Sequence, residues 1–316
     1  MQTRRVGNSG LSVSVIGLGT LGWSSQVDQY VALEQLKAFY DAGGTLIDTS
    51  PVYAAGKSQA LVGATIETSR VRNRFILAAR AGYAIRDGQR VLDVSRAGLL
   101  TQLDETLKEL RTDYLDIWQL DRWDSSVPLA ETLSALAFAI QSGRVRYVGV
   151  SNLPAWQTAL AHATFASFNT GVNLVSSQQE YSLLNRKVEA DLLPAVEQLQ
   201  MSHFACGALG RGVLTGKYRS GVPADSRAAH RDWEAYVAAY LGEDRAHIVQ
   251  ALVRAAEGLG VPPIHVALAW LWHRPQVASA VVGVRSVQQF TELLGAPDLE
   301  LPEPISSALD DVSQEA

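Results

Sequence analysis

Short apolar runs alternate along the chain with longer segments whose apolar positions recur every three or four residues. SVIGLGT (14–20), TLIDTS (45–50), RFILAAR (74–80) and YLDIWQLD (114–121) predict four strands. RVRYVGVS (144–151), LVSSQQE (174–180), SHFACGA (202–208) and SAVVGVR (279–285) predict four more. Between them the period becomes helical, over 29–43, 94–112, 128–143, 189–200, 246–260 and 262–274. Gly43 ends the first of these helices, and Asp93-Val94-Ser95 offers a cap for the second. From Lys217 to about Asp232 there is no clean period, so this stretch reads as a long loop, a mobile lid or an insertion. Eight strands alternating with helices predict an α/β chain folded as a single (β/α)8 TIM barrel over residues 1–316. The glycine cluster GLGTLG (17–22) favours a doubly wound sheet only weakly, because the other parts of a dinucleotide fingerprint do not follow it.

Composition narrows the function classes. A net charge of −5, with 19% charged residues, gives no basis for a nucleic-acid partner. No apolar run of about eighteen residues is present to span a membrane, and the glycine-broken N-terminus is not read as a signal peptide. Cys206 is the only cysteine, and the six histidines show neither HxH nor HExxH spacing, so no metal site is expected. The histidines read as helix or surface residues and Cys206 as a small buried one. The expected compartment is the cytoplasm, and the expected partner is a small-molecule substrate.

In such a barrel the side chains at the C-terminal strand ends converge on one mouth. Those ends carry Asp48, Arg80, Asp121, Ser151, Asn152, Gln179 and the 207–211 turn, with Tyr53 five residues after Asp48. Two carboxylates, a phenol and a guanidinium thus face one opening. Trp23, Tyr83 and Trp123 follow strands one, three and four, where they line a substrate pocket or simply pack the loops.

These blocks resemble the aldo-keto reductase family over nearly the whole chain. The family pattern of Asp, then Tyr five residues on, then Gly, a Ser-Glu pair and Leu-Gly reads here as Asp48, Tyr53, Gly56, Ser58-Gln59 and Val62-Gly63. GVSN (149–152), QQEYSLLNR (178–186), GALGRGVLTGKY (207–218) and ALAWLW with VVGVRS (267–286) match further family blocks. The resemblance implies a short N-terminal hairpin at the barrel bottom and NADPH-dependent carbonyl reduction without a metal. It implies an Asp-Tyr-Lys-His tetrad, of which Asp48 and Tyr53 carry over, while Arg80 stands at the Lys position and Asp121 at the His position. It also implies that Ser151, Asn152 and Gln179 hold the nicotinamide carboxamide and that Tyr181 stacks on the nicotinamide. The pyrophosphate falls to Gly207, Leu209 and Gly212, and the adenosine end to Arg285, Ser286 and Gln289. Cys206-Gly207-Ala208-Leu209 replaces the frequent Tyr-Ser-Pro-Leu, and Leu293 replaces an Asn.

The two departures have chemical consequences. A guanidinium keeps a positive charge beside Tyr53 and can hold Asp48 through two hydrogen bonds, but it relays no proton. An ionised carboxylate about 4 Å from a developing alkoxide opposes it by roughly 4 kcal/mol at an effective dielectric near 20. Asp121 therefore pairs with Arg80, or is held protonated and donates a hydrogen bond, or serves as part of a structural ion pair. The functions that follow are an atypical NADPH-dependent reductase of a carbonyl, conjugated enone or imine, a cofactor-binding regulator, or a non-redox lyase or isomerase.

Overall fold

The eight apolar runs form eight parallel strands because each is buried on both faces and bounded by turn residues. The computed structural model describes residues 1–296 and 299–314. In chain order the strands are β1 (Thr3–Arg5), β2 (Ser12–Ser14), β3 (Ile16–Gly19), β4 (Leu46–Thr49), β5 (Ile76–Ala81), β6 (Tyr83–Arg86), β7 (Gln89–Leu92), β8 (Leu115–Leu120), β9 (Val145–Ser151), β10 (Leu174–Glu180), β11 (Ser202–Cys206) and β12 (Val277–Val282). The closed barrel runs β3-β4-β5-β8-β9-β10-β11-β12 and back to β3. Outside it lie α1 (Gln29–Asp41), α2 (Lys57–Ser69), α3 (Arg96–Leu110), α4 (Leu129–Gln141), α5 (Ala155–Ala166), α6 (Leu192–Gln198), α7 (Arg231–Ala238), α8 (Glu243–Leu259), α9 (Pro263–Trp272), α10 (Val287–Leu294) and α11 (Glu303–Val312). No helix among the described residues is long and apolar enough to cross a membrane.

Local sequence sets the helix starts. Asp28 Oδ1 accepts from the Tyr30 and Val31 amides, both at 2.9 Å, and opens α1. At α3 the expected cap is present, with Ser95 Oγ accepting from Gly98 N and donating to Asp93 Oδ1 at 2.7 Å. Three features differ from the periodicity. Helices α2 and α5 carry patterns too mixed to stand out, with buried polar residues such as Ser58, Gln59 and Thr158 on their inner faces, while α10 and α11 are amphipathic but only 8 and 10 residues long. The 217–232 stretch holds a single 3-10 turn, Arg227–Ala229, and then leads into α7. An antiparallel hairpin, β6–β7, pairs Tyr83 with Leu92 and Ile85 with Arg90 beside the barrel mouth.

The interior is layered. The expected N-terminal hairpin, β1–β2, closes the bottom, where Val6 and Val13 pack against Leu46, Ala78, Ile117 and Phe204. Above them small residues make room for polar ones. A Cβ on Gly149 would meet Ser176 Oγ at 2.2 Å, and that hydroxyl accepts from Gln119 Nε2 at 3.2 Å. The top layer holds Asp48, Arg80 and Gln178.

Strand β10 carries a register shift against β9, where Leu174 and Ser176 meet Val148 and Gly149, and β12 carries one against β11, where Val277 and Ser279 meet His203 and Phe204. Each shift moves the inward face by one residue. Val175 faces in, but so do Ser176, Gln178 and Glu180, while Gln179 and Tyr181 turn outward.

His203 is turned outward as well, and it corrects the expectation that all six histidines are helix or surface residues. It is fully buried on β11, with its ring edge-on to Tyr181 at 6.1 Å between centroids. Burial pushes its imidazole down to about 4, against the opposite pull of the Gln179 backbone. Below the ordinary histidine value of about 6.5 the unfolded chain takes up this proton and the folded one does not, so stability falls as pH falls. Between pH 6.5 and 5 the expected loss is about 2 kcal/mol, at roughly 1.4 kcal/mol per pH unit. Urea unfolding at both pH values should show that loss shrinking in a His203→Leu variant.

Candidate active site

Strand ends β4, β5 and β10 bring Asp48, Arg80 and Gln178 into one cluster. Arg80 Nη2 donates to Asp48 Oδ2 at 3.1 Å and to Oδ1 at 3.4 Å, and Gln178 Nε2 donates to Oδ1 at 3.0 Å. Both Arg80 contacts come from one nitrogen, so the two-nitrogen fork expected of a guanidinium is not formed, and the buried Nε has no partner among the described residues. The Arg80 guanidinium carbon lies 5.5 Å from the centroid of the Tyr53 ring. Tyr53 leads into a strained turn, in which Ala54 (φ 49°), Ala55 (φ 52°) and Gly56 (φ 85°) are all left-handed. Two alanines in that region cost on the order of 1–2 kcal/mol each. The turn aims the phenol at the mouth and leaves it little freedom.

Charge in this cluster is set by burial and by neighbours. Burial pushes Asp48 above the usual carboxylate value, against the pull of Arg80 and then of Gln178. Burial alone would lower Arg80, but Asp48, Tyr53 and Asp121 hold its guanidinium well above the ordinary value. Tyr53 is driven up by burial more strongly than Arg80 draws it down, so it stands as a neutral phenol with a proton to give. Cys206 is likewise pushed up to about 12, chiefly by burial, and stays a thiol.

Asp121, just past β8, does not hydrogen-bond Arg80. Its Oδ1 accepts from Asn152 Nδ2 at 2.6 Å, and its Oδ2 lies 3.8 Å from Arg90 Nη2 on β7. Arg90 in turn stacks on Tyr83, 3.5 Å from the ring centroid. The β6–β7 hairpin therefore supplies a cation to the mouth that no strand-end argument foresees. Ser151 Oγ accepts from the same Asn152 amide at 3.2 Å.

Several expected contacts fall elsewhere, each for a local reason. Gln179 Nε2 donates outward to the Leu153 carbonyl, and Tyr181 is fully buried behind the wall, where its hydroxyl donates to Glu189 Oε1 at 2.6 Å and its ring packs on Trp270. Tyr181 cannot reach the mouth. The β10 register shift gives the inward places to Gln178 and Glu180 instead. Trp23 is buried in the core with Nε1 donating to Gln35 Oε1 at 3.1 Å and does not line the cavity at the mouth. Trp123 packs on Trp156 with 5.7 Å between ring centroids, and Ser286 Oγ caps α10 by accepting from Gln289 N at 3.2 Å. Cys206, expected as buried filler, lines the mouth where the family often has Tyr.

From this mouth a cavity of about 580 Å³ extends past Cys206, Gly207, Leu209 and Gly212 to Arg285, Gln289 and Leu293. Gly207 (φ 63°) and Gly212 (φ 95°) hold left-handed turns, and a Cβ on Gly207 would meet the Glu180 side chain at 2.8 Å. Arg211 fixes this turn through Glu180, at 3.0 and 2.8 Å, and through the Tyr236 carbonyl at 2.6 Å. Lys217, Arg227 and Arg285 line the outer half. Burial lowers the Lys217 ammonium, and Arg285 and Arg227 lower it further by repulsion. Glycine turns that expose backbone beside three crowded cations suit a ligand with several phosphates. Arg211 ends the expected 207–211 turn, whereas nothing in the sequence pattern marks Glu180, Lys217 or Arg227, the last two of which fall within the aperiodic 217–232 stretch.

A family model described as "Aldo/keto reductase family" matches residues 15–314. The chain belongs to the aldo/keto reductase family. It is 31% identical to a protein named Aldo-keto reductase AMT2 from Alternaria alternata, over 98% of this chain and 90% of that one. It is 30% identical to Protein tas from Escherichia coli K12, over 99% and 98% respectively. As a member of this family the protein is an oxidoreductase of the type that uses NAD(P)H and acts on small molecules. Asp48, Tyr53 and Arg80 line the inner end of the cavity, and Asp121 adjoins it through Asn152.

Proposed function

We propose that the protein is an NADPH-dependent reductase of a carbonyl, conjugated enone or imine, with Tyr53 as the proton donor to a carbonyl oxygen. The observation that carries this reading is the convergence of Asp48, Arg80 and neutral Tyr53 at the inner end of a glycine-lined, basic cavity. When bound, the nicotinamide supplies the hydride. Asp48 anchors Arg80, and Gln178 fixes Asp48. The Arg80 charge favours the phenolate that Tyr53 becomes as it gives up its proton. Glu180 and Arg211 hold the Gly207 turn, and Lys217, Arg227 and Arg285 would grip phosphates. A preference for NADPH over NADH rests on that surplus of cations.

A cofactor-binding protein with little turnover is the second reading, and Asp121 favours it because an ionised carboxylate opposes alkoxide formation. Quenching of protein fluorescence separates the possibilities. NADPH should quench and be consumed with at least one carbonyl, enone or imine. Quenching without consumption points to the second reading, and no quenching overturns both. Arg285→Ala should weaken NADPH binding by about tenfold or more, the worth of a charge-assisted contact, and leave NADH binding nearly unchanged.

A further inference from the structure

Asp121 faces two hydrogen-bond donors, Asn152 Nδ2 and Arg90 Nη2, and among the described residues no acceptor that a protonated carboxyl would need. This arrangement suits a carboxylate. Its nearest cation is loosely held: Arg90 stands 3.8 Å away with its side chain 48% exposed, whereas that of Asp121 is 5% exposed. The other mouth cations are committed, Arg80 to Asp48 and Arg211 to Glu180. Arg90 also lies flat on the Tyr83 ring, 3.5 Å from its centroid. A buried carboxylate and an aromatic face thus form a place for a cation, held for now by a guanidinium from the protein's own rim. Asn152, which donates to Asp121, lines the cavity beside Asp48, Tyr53 and Arg80, so this place adjoins its inner end.

We propose that Asp121, with the Tyr83 ring, binds a protonated substrate nitrogen in place of Arg90, and that the preferred substrate is an iminium ion. The proposal rests on the reductase reading for its chemical step, but the cation site stands apart from it. A carboxylate that repels a developing alkoxide attracts C=N–H⁺ and keeps it protonated, and a protonated imine is the better hydride acceptor. The electron pair of the hydride, taken from the reduced nicotinamide, forms the new C–H bond. The C=N π pair moves onto nitrogen, and the positive charge is extinguished to give a neutral amine while the nicotinamide is oxidised. No proton is required from Tyr53. Asp121 remains a carboxylate throughout and is again free to pair with Arg90 as the amine leaves.

Two measurements test this. Calorimetric titration with pyrrolidinium, a non-reacting cation, should show binding that Asp121→Asn weakens at least tenfold. Arg90→Ala should strengthen it severalfold by removing the competing guanidinium. With NADPH, 2-methyl-1-pyrroline should be reduced with a kcat/KM at least a hundredfold above that of cyclopentanone. No pyrrolidinium binding, binding indifferent to Asp121, or weaker binding in Arg90→Ala overturns the cation site. Equal or better reduction of cyclopentanone overturns the iminium preference. Asp121-dependent pyrrolidinium binding without any NADPH consumption would instead sink the reductase reading and leave the cation site standing.

Discussion

Replacing Asp121 by histidine is expected to raise turnover of a simple aldehyde by on the order of a hundredfold. The reasoning is Coulombic: a carboxylate about 4 Å from the forming alkoxide opposes it by roughly 4 kcal/mol at an effective dielectric near 20, which is a ceiling of about three orders of magnitude. Arg90 at 3.8 Å and the Asn152 amide at 2.6 Å already offset part of that charge, so the gain should fall short of the ceiling. Histidine removes the charge and restores a neutral donor at this position. Steady-state NADPH consumption with a small aldehyde measures the effect. Unchanged turnover in the variant would show that Asp121 is not the obstacle to aldehyde reduction.

Asp48→Asn is expected to cost about 3–5 kcal/mol of stability, because it strands the buried guanidinium of Arg80. The side chains of Asp48 and Arg80 are only 3% and 11% exposed, and Asp48 also accepts from Gln178 Nε2. Arg80 Nε already lacks a partner among the described residues, so none of them takes up the loss on its other side. Replacing both partners removes the stranded charge, and Asp48→Asn with Arg80→Met should recover much of the deficit. Urea unfolding of the single and double variants provides the comparison. A loss below about 1 kcal/mol in Asp48→Asn would mean that Asp121 or solvent satisfies Arg80 in its place.

Much of the barrel was legible because parallel strands buried on both faces are near-continuous apolar runs that stand out between helices. For the same reason, the inward face of each strand was not legible. Nothing in LVSSQQE distinguishes the face carrying Gln178 from the face carrying Gln179, since both are enclosed, and the shift at Leu174/Ser176 reverses the order that Val175 would suggest. One residue of slip moved the expected cofactor contacts onto Gln179 and Tyr181, which serve the wall instead. Asp48, Tyr53, Arg80 and Asp121 escaped this ambiguity because a charge or phenol at a strand end has few other places to go. Arg90 was hidden for a different reason. Asp87-Gly88, left-handed at φ 52° and 74°, is a two-residue hairpin turn, but a turn does not say which strand end its hairpin folds against, and Arg90 meets Asp121 only through β6–β7. Trp23 shows the converse: its place after a strand suggested a pocket, yet a buried partner, Gln35, holds its indole in the core.

The role of Tyr53 is tested most directly by Tyr53→Phe, with NADPH binding and carbonyl turnover measured on the same preparation. NADPH quenching should be unchanged, while reduction of the best carbonyl substrate should fall by about a hundred- to ten-thousandfold, the usual worth of a positioned acid. Carbonyl reduction that persists within about threefold of the parent, far short of that range, would contradict proton donation by Tyr53.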